Sequence, residues 1–452
     1  MSKTALALLL GVAVALGIGL WIASQSPSAP SNQQQTPALE ITPADVLGIA
    51  IRTNGSAHDL ARERGGAWSY AGWPVNPEGP SRALRALDAL ARAEPFDGDA
   101  GGGLEITLRM HGGEAHTIVF DTQPIAGMIG ASVDGGDAVR VPSTITDAFA
   151  NPGSWRLRGA FPGVRASEAS RIVISDAEGA TLEFAKLDSR WRLRRPFPAR
   201  VNATALQALS GLLDSLVVQQ FLDDPPPAST TQLGQPRLTL RIERDVRTAA
   251  PDGSVSTRVA SVGLRVGGLE ATGQAAFAAS DVAPDKVITV PASFATSVST
   301  AVRSYLALTA CDIPEEDIAI LRVVWRDGTE AGYRRDLGTW QTLPDKQPVD
   351  IESIRDAIAF LTEEPGEPQE TLGDNDIRSV ARVELFDFKA DPLERLRIGY
   401  TADGTVAVRG QNVLWLYDRP APAIFRVPPF ESLAPEEQRT APPPPEDDAP
   451  SK

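Results

Sequence analysis

Apolar and polar residues alternate in three separate stretches, and the same landmarks follow each one. The first reads Val46-Leu-Gly-Ile-Ala-Ile51, then Trp68, Pro74 and Leu84/Leu87/Leu90. The second reads Ile172-Val-Ile174, then Trp191, Pro196 and Leu206/Leu209/Leu213/Leu216. The third reads Ile318-Ala-Ile-Leu-Arg-Val323, then Trp340, Pro344 and Ile351/Ile354/Ile358/Leu361. Alternation with a period of two predicts a strand buried on one face. An X-Gly pair follows each run (Asn54-Gly55, Glu178-Gly179, Asp327-Gly328), which predicts a hairpin into a second strand. Beyond the proline, the apolar spacing of the second and third units places one stripe along a helix. Asn202 and Asp350 stand where an N-cap belongs, since a short side-chain oxygen can accept an otherwise free backbone N–H. In the first unit the helix is expected to open near Pro80-Ser81 with a shorter stripe.

A second set of strands is predicted from Leu104-Glu-Ile-Thr-Leu108, Leu238-Thr-Leu-Arg-Ile242 and Val383-Glu-Leu-Phe386. Each set closes on a Val-Pro pair (Val141-Pro142, Val290-Pro291, Val427-Pro428). In the first two units a short helix follows, because proline ends ladder pairing and suits a helix start. The turns are too short for parallel crossovers, so the pairing is expected to be antiparallel. The fold class is α+β: three repeated units of antiparallel strands plus a short amphipathic helix, over residues 40–160, 161–310 and 311–435. Trp68, Trp191 and Trp340 recur at one register and read as core pins of the module. Trp73 and Trp415 break the register and are candidates for exposed contacts.

From Ala5 to Ala23 no residue is charged. Nineteen helical residues span roughly 28 Å, close to a bilayer core of about 30 Å. Residues 1–24 therefore read as a transmembrane anchor, with Trp21 at the interface. Lys3 keeps the N-terminus inside, so the expected location is the cytoplasmic membrane, single-pass, with the bulk extracytoplasmic. The rival reading is a cleaved signal peptide, whose apolar region is normally shorter, at about 7–15 residues. Residues 25–39 form a polar linker, and 436–452 a Pro-rich acidic tail expected to be disordered.

A formal charge of −15 over 452 residues argues against a nucleic-acid partner. The single cysteine, Cys311, allows no intramolecular disulfide and follows an apolar stretch, which reads as a buried, inert thiol. His58, His111 and His116 lack metal-ligand spacing and read as solvated loop residues. Neither a nucleophile elbow nor a phosphate-binding glycine loop occurs. Asp223-Asp224 and Glu363-Glu364 lie beside prolines in loops. No catalytic, cofactor-binding or metal-binding residue is assigned, and a non-enzymatic role is expected. Arg190, Arg192 and Arg194, with Arg195, make a basic patch on an acidic chain. It reads as a solvated strand face or as a docking point for an acidic partner. Trp73, Trp415, Arg190, Arg192 and Arg194 are accordingly the candidate partner contacts.

The order of strand, hairpin, tryptophan, proline and leucine-rich helix behind an N-terminal span resembles the bacterial domain-of-unknown-function 4340 proteins. Arg190-Trp-Arg-Leu-Arg-Arg-Pro196 leading to Leu206 through Leu216 carries the resemblance best. Trp68-Ser-Tyr-Ala-Gly-Trp73-Pro and the shorter Trp340-Gln-Thr-Leu-Pro344 depart from its spacing. The resemblance covers most of residues 40–435 and transfers no functional residue. It implies an envelope protein found with ABC-transporter components of the gliding-motility type, without assigned catalysis. The expected function is a membrane-anchored structural or adaptor protein of a cell-envelope complex; the alternative is a binding module for a cell-wall or exported polymer.

Overall fold

The computed structural model describes residue 39 and residues 41–426, apart from 54, 64, 99–100, 250–252, 348 and 371–376. The anchor expected over 5–23 and the tail at 436–452 lie outside these residues. Among the described residues no helix is long and apolar enough to cross a membrane.

The three landmark-bearing stretches seed three antiparallel sheets of nine, nine and eight strands. In the first, Val46–Thr53, Ser56–Arg62, Trp68–Tyr70 and Trp73–Pro74 form one meander. Gly102–Met110, Ala115–Asp121, Met128–Val133 and Val139–Pro142 form another. Their opening strands pair at the centre, with Ile51 opposite Ile106. The second sheet joins its halves through Ile174 opposite Leu240, and the third through Val323 opposite Val383. A short strand after each helix crosses to the far edge: Glu94–Pro95, Gln220–Leu222 and Glu367–Glu370. Pro95 and Pro368 are tolerated there because an edge strand does not need every N–H in the ladder. The protein is thus mainly β, with few helices.

Local chemistry explains the elements. Gly55, Gly179 and Gly328 turn the hairpins at φ of 95°, 87° and 85°, a left-handed conformation that glycine adopts without steric cost. Helix Ala203–Asp214 begins where Asn202 accepts from the Ala205 N–H at 3.2 Å. Helix Ile351–Thr362 begins where Asp350 accepts from the Glu352 N–H at 3.2 Å and from the Ser353 hydroxyl at 2.7 Å. Of the predicted stripes, Leu206/Leu209/Leu213 and Ile354/Ile358/Leu361 are buried along the helices; Leu216 is buried just beyond the first, and Ile351 is only half-buried. The first-unit helix opens earlier than Pro80-Ser81, at Glu78, whose N–H is accepted by the Asn76 side chain. It passes into a 3-10 turn over Leu87–Arg92, which buries Leu87 and Leu90.

The expected short helices follow the first two Val-Pro pairs, at Thr144–Phe149 and Ala292–Ser297. In the third sheet the last strand is Val413–Tyr417, well before Val427-Pro428, which lies outside the described residues.

The chain divides into two compact units. Met1–Leu157 contains the first sheet, and Arg158–Lys452 contains the second and third. Trp68 and Trp340 are buried as core pins, but Trp191 is only half-buried. Helix Ile351–Thr362 packs on Thr339–Leu343, the strand that carries the buried Trp340. Helix Ala203–Asp214 packs instead on the turns Ala166–Glu168 and Val302–Tyr305. Trp191 is left at the rim under Lys186, whose ammonium lies 5.1 Å from the ring centre.

Candidate functional site

Strand Arg190–Arg195 alternates arginines with Trp191 and Leu193. Because successive side chains point to opposite faces, Leu193 enters the core while Arg190 and Arg192 lie on the other face; the ladder shifts register at Arg194, and Arg195 comes opposite Glu183 and pairs with it at 3.4 Å. The neighbouring strand Ala199–Arg200 sets Arg200 directly opposite Arg192. Two like charges in that position repel. Asp312 resolves the conflict from the start of the third sheet's segment. Its carboxylate lies 3.3 Å from Arg192, 3.5 Å from Arg200 and 3.9 Å from Arg190.

Arg200 is the most enclosed of the four arginines. Its guanidinium donates to the carbonyls of Ala310 and Thr309 and lies 5.4 Å from the centre of the Trp415 ring. Trp415 is itself buried, and its indole N–H donates to the Ala307 carbonyl at 2.7 Å. Asn412 donates to the Pro198 carbonyl at 2.8 Å and ties the two sides together.

These side chains line a cleft of about 480 Å³ within the second compact unit, with Glu394 and Leu396 on the third-sheet side. Four arginines face two carboxylates, Asp312 and Glu394, leaving an excess of two positive charges on a chain of formal charge −15. Arg194 is exposed and has no carboxylate at ion-pair distance among the described residues. Two other concavities carry the opposite sign: one holds Asp403, Asp418 and Arg419, the other Asp97 and Asp137. The arginine cleft is therefore where an anion is attracted rather than repelled.

The structure brings Arg190, Arg192, Arg194 and Trp415 together, and it excludes Trp73. That residue is 2% exposed in the first compact unit, with its indole N–H donating to the Leu157 carbonyl at 2.7 Å. Trp415 likewise is not an exposed platform; it forms the floor under Arg200. In both cases a buried indole has found a carbonyl distant in sequence. Arg200 and Asp312 escaped the sequence reading, since neither stands in the arginine run and only the fold makes them neighbours.

His111 is an exposed turn residue, as expected, whereas the other two histidines stand in strands. His58, in strand Ser56–Arg62, shares a 2.6 Å hydrogen bond with the Tyr70 hydroxyl. His116, in strand Ala115–Asp121, lies 2.8 Å from the Asp134 carboxylate. That contact and the Thr117 N–H hold Asp134 below the usual carboxylate range. Among the described residues no group of histidine, cysteine and carboxylate side chains could hold a metal ion. Cys311 is buried, and desolvation pushes its thiol up to about 11, so little nucleophilic thiolate forms near neutrality.

No family model, curated protein or solved structure matches this chain.

Proposed function

We propose that this protein is a membrane-anchored extracytoplasmic adaptor of a cell-envelope complex, accessory to a transporter or gliding-motility-type system. The resemblance to the domain-of-unknown-function 4340 proteins and the uncharged segment 5–23 motivate the placement. The observation that carries the adaptor role is the arginine cleft: a concave, net-positive surface on an acidic protein, built from rigid strands. Such a surface favours association with an acidic partner through complementary charge. The alternative, a cell-wall polymer module, is less well supported, because Trp415 is buried and its indole N–H is already donated to the Ala307 carbonyl.

The placement is tested by protease added to intact spheroplasts. The account expects residues 40–435 to be released as soluble fragments, and protection until lysis would contradict it. The adaptor role is tested by crosslinking in native membranes through the cleft.

A further inference from the structure

We infer that the second sheet carries an arm whose open edge adds an extended partner segment of alternating β-branched and acidic residues. Strands Leu238–Ala249 and Val255–Leu269 pair from Leu238 opposite Val266 to Ala249 opposite Val255 without a register shift. Their neighbours stop short. Strand Arg171–Asp176 reaches only Glu243, and strand Ala275–Ser280 only Leu264. Six rungs, Arg244 to Ala249 with Val255 to Ala260, therefore stand as a two-stranded ribbon. The equivalent strands of the first and third sheets have seven to nine residues, against twelve and fifteen here, so the arm belongs to one module of the repeated plan. The arm has no core of its own, and Val255 and Val259 are 63% and 55% exposed. Two strands alone are marginal in water, and a third stabilises them.

The docking side is the edge Val255–Ser261. Bonding on that side resumes only at Gly263, whose carbonyl accepts from the Asp281 N–H at 3.1 Å. The edge therefore offers a run of main-chain groups to an incoming strand. Proline and bulges, which blunt such edges, are absent from it. Its two faces specify the ligand. Val255, Thr257 and Val259 share one face, and all three are β-branched and suited to cross-strand packing. Arg258 stands on the other face between Ser256 and Ala260, exposed and without an ion-pair partner among the described residues. Arg247, opposite Thr257, is likewise exposed and unpaired among them. Three arginines against Asp245 give the arm an excess of two positive charges on a chain of formal charge −15. A Val-Glu-Val-Glu-Val segment sets its valines over Val255, Thr257 and Val259 and its glutamates opposite Ser256 and Arg258. A second copy of this chain is disfavoured, since it brings like charge in both arm and body. The inference is independent of the arginine cleft.

The test uses purified full-length protein in detergent and a fluorescent peptide, Gly-Gly-Val-Glu-Val-Glu-Val-Gly-Gly, followed by anisotropy. The account expects binding that R258E weakens about tenfold while the circular dichroism spectrum is kept. Two further peptides carry N-methyl groups, one on its valines and the other on its glutamates, which removes main-chain donors and keeps every charge. Only alternate N–H groups of an added strand point toward the arm. One methylated peptide should therefore lose at least about tenfold in affinity, and the other should stay within about twofold.

Equal binding of all three peptides would overturn strand addition, because plain charge attraction does not read the backbone. No binding of the unmodified peptide would overturn the inference outright. Affinity lost in R190A/R194A but unchanged in R258E would move the peptide to the arginine cleft, overturning the arm and leaving the adaptor reading standing. Cys311 is buried, so Thr257→Cys supplies the one accessible thiol among the described residues. Interchain disulfides of that variant under mild oxidant, not suppressed by excess peptide, would show a second copy on the edge and overturn the acidic partner as its occupant.

Discussion

At the scale of single residues, the tryptophans separate what sequence conveys from what only packing decides. Trp340 and Trp68 are buried, and Trp191 at the equivalent register is half-buried beneath Lys186. Trp340→Ala should therefore destabilise by about 3–5 kcal/mol, as large core truncations do. Trp191→Ala should cost about 1 kcal/mol, the scale of a partly exposed cation–π contact and limited burial. Denaturant titration of the two variants checks this, and equal losses would contradict the assignment. The register of these residues was legible because it repeats. The burial of Trp68 and Trp340 was legible with it; the half-exposure of Trp191 was not, because it depends on which elements the following helix packs against. The same limit applies to Trp73 and Trp415, whose indole N–H groups bond the carbonyls of Leu157 and Ala307.

At the scale of elements, hairpins and helix starts were readable because their chemistry is local. Glycine at the turn and a polar cap before the stripe both act within a few residues. The two caps nevertheless differ in how they respond to acid. Hydrogen bonds from the Ser353 hydroxyl and the Glu352 N–H hold Asp350 below its usual carboxylate value of 3.8. A depressed carboxylate stabilises above its ordinary value and loses that contribution as pH falls through the lowered one. Asn202 does not titrate, so only helix Ile351–Thr362 should fray at its start in acid. Amide hydrogen exchange at Glu352 and Ser353 should quicken at the acid end, and Asp350→Asn should remove that dependence. Persistence of the pH dependence in Asp350→Asn would rule the cap out as its source. The edge strands Glu94–Pro95, Gln220–Leu222 and Glu367–Glu370 were not legible, since strands so short carry no periodicity.

At the scale of the whole molecule, three sheets share one strand plan, but the second and third lie in one compact unit and the first in another. The arginine run was visible as composition. The cleft was not, because Arg200, Asp312 and Trp415 meet only when strands from two sheets are brought together. The central claim is that this cleft docks an acidic partner. A photoreactive residue at Leu187, which lines the cleft and is 45% exposed, tests it most directly in native membranes. A control probe belongs at Leu337, a fully exposed turn position. The account predicts an adduct from Leu187, absent from Leu337, to a protein bearing an acidic segment, and lost when R190A and R194A are added. No adduct at Leu187, or one that survives those substitutions undiminished, would contradict it.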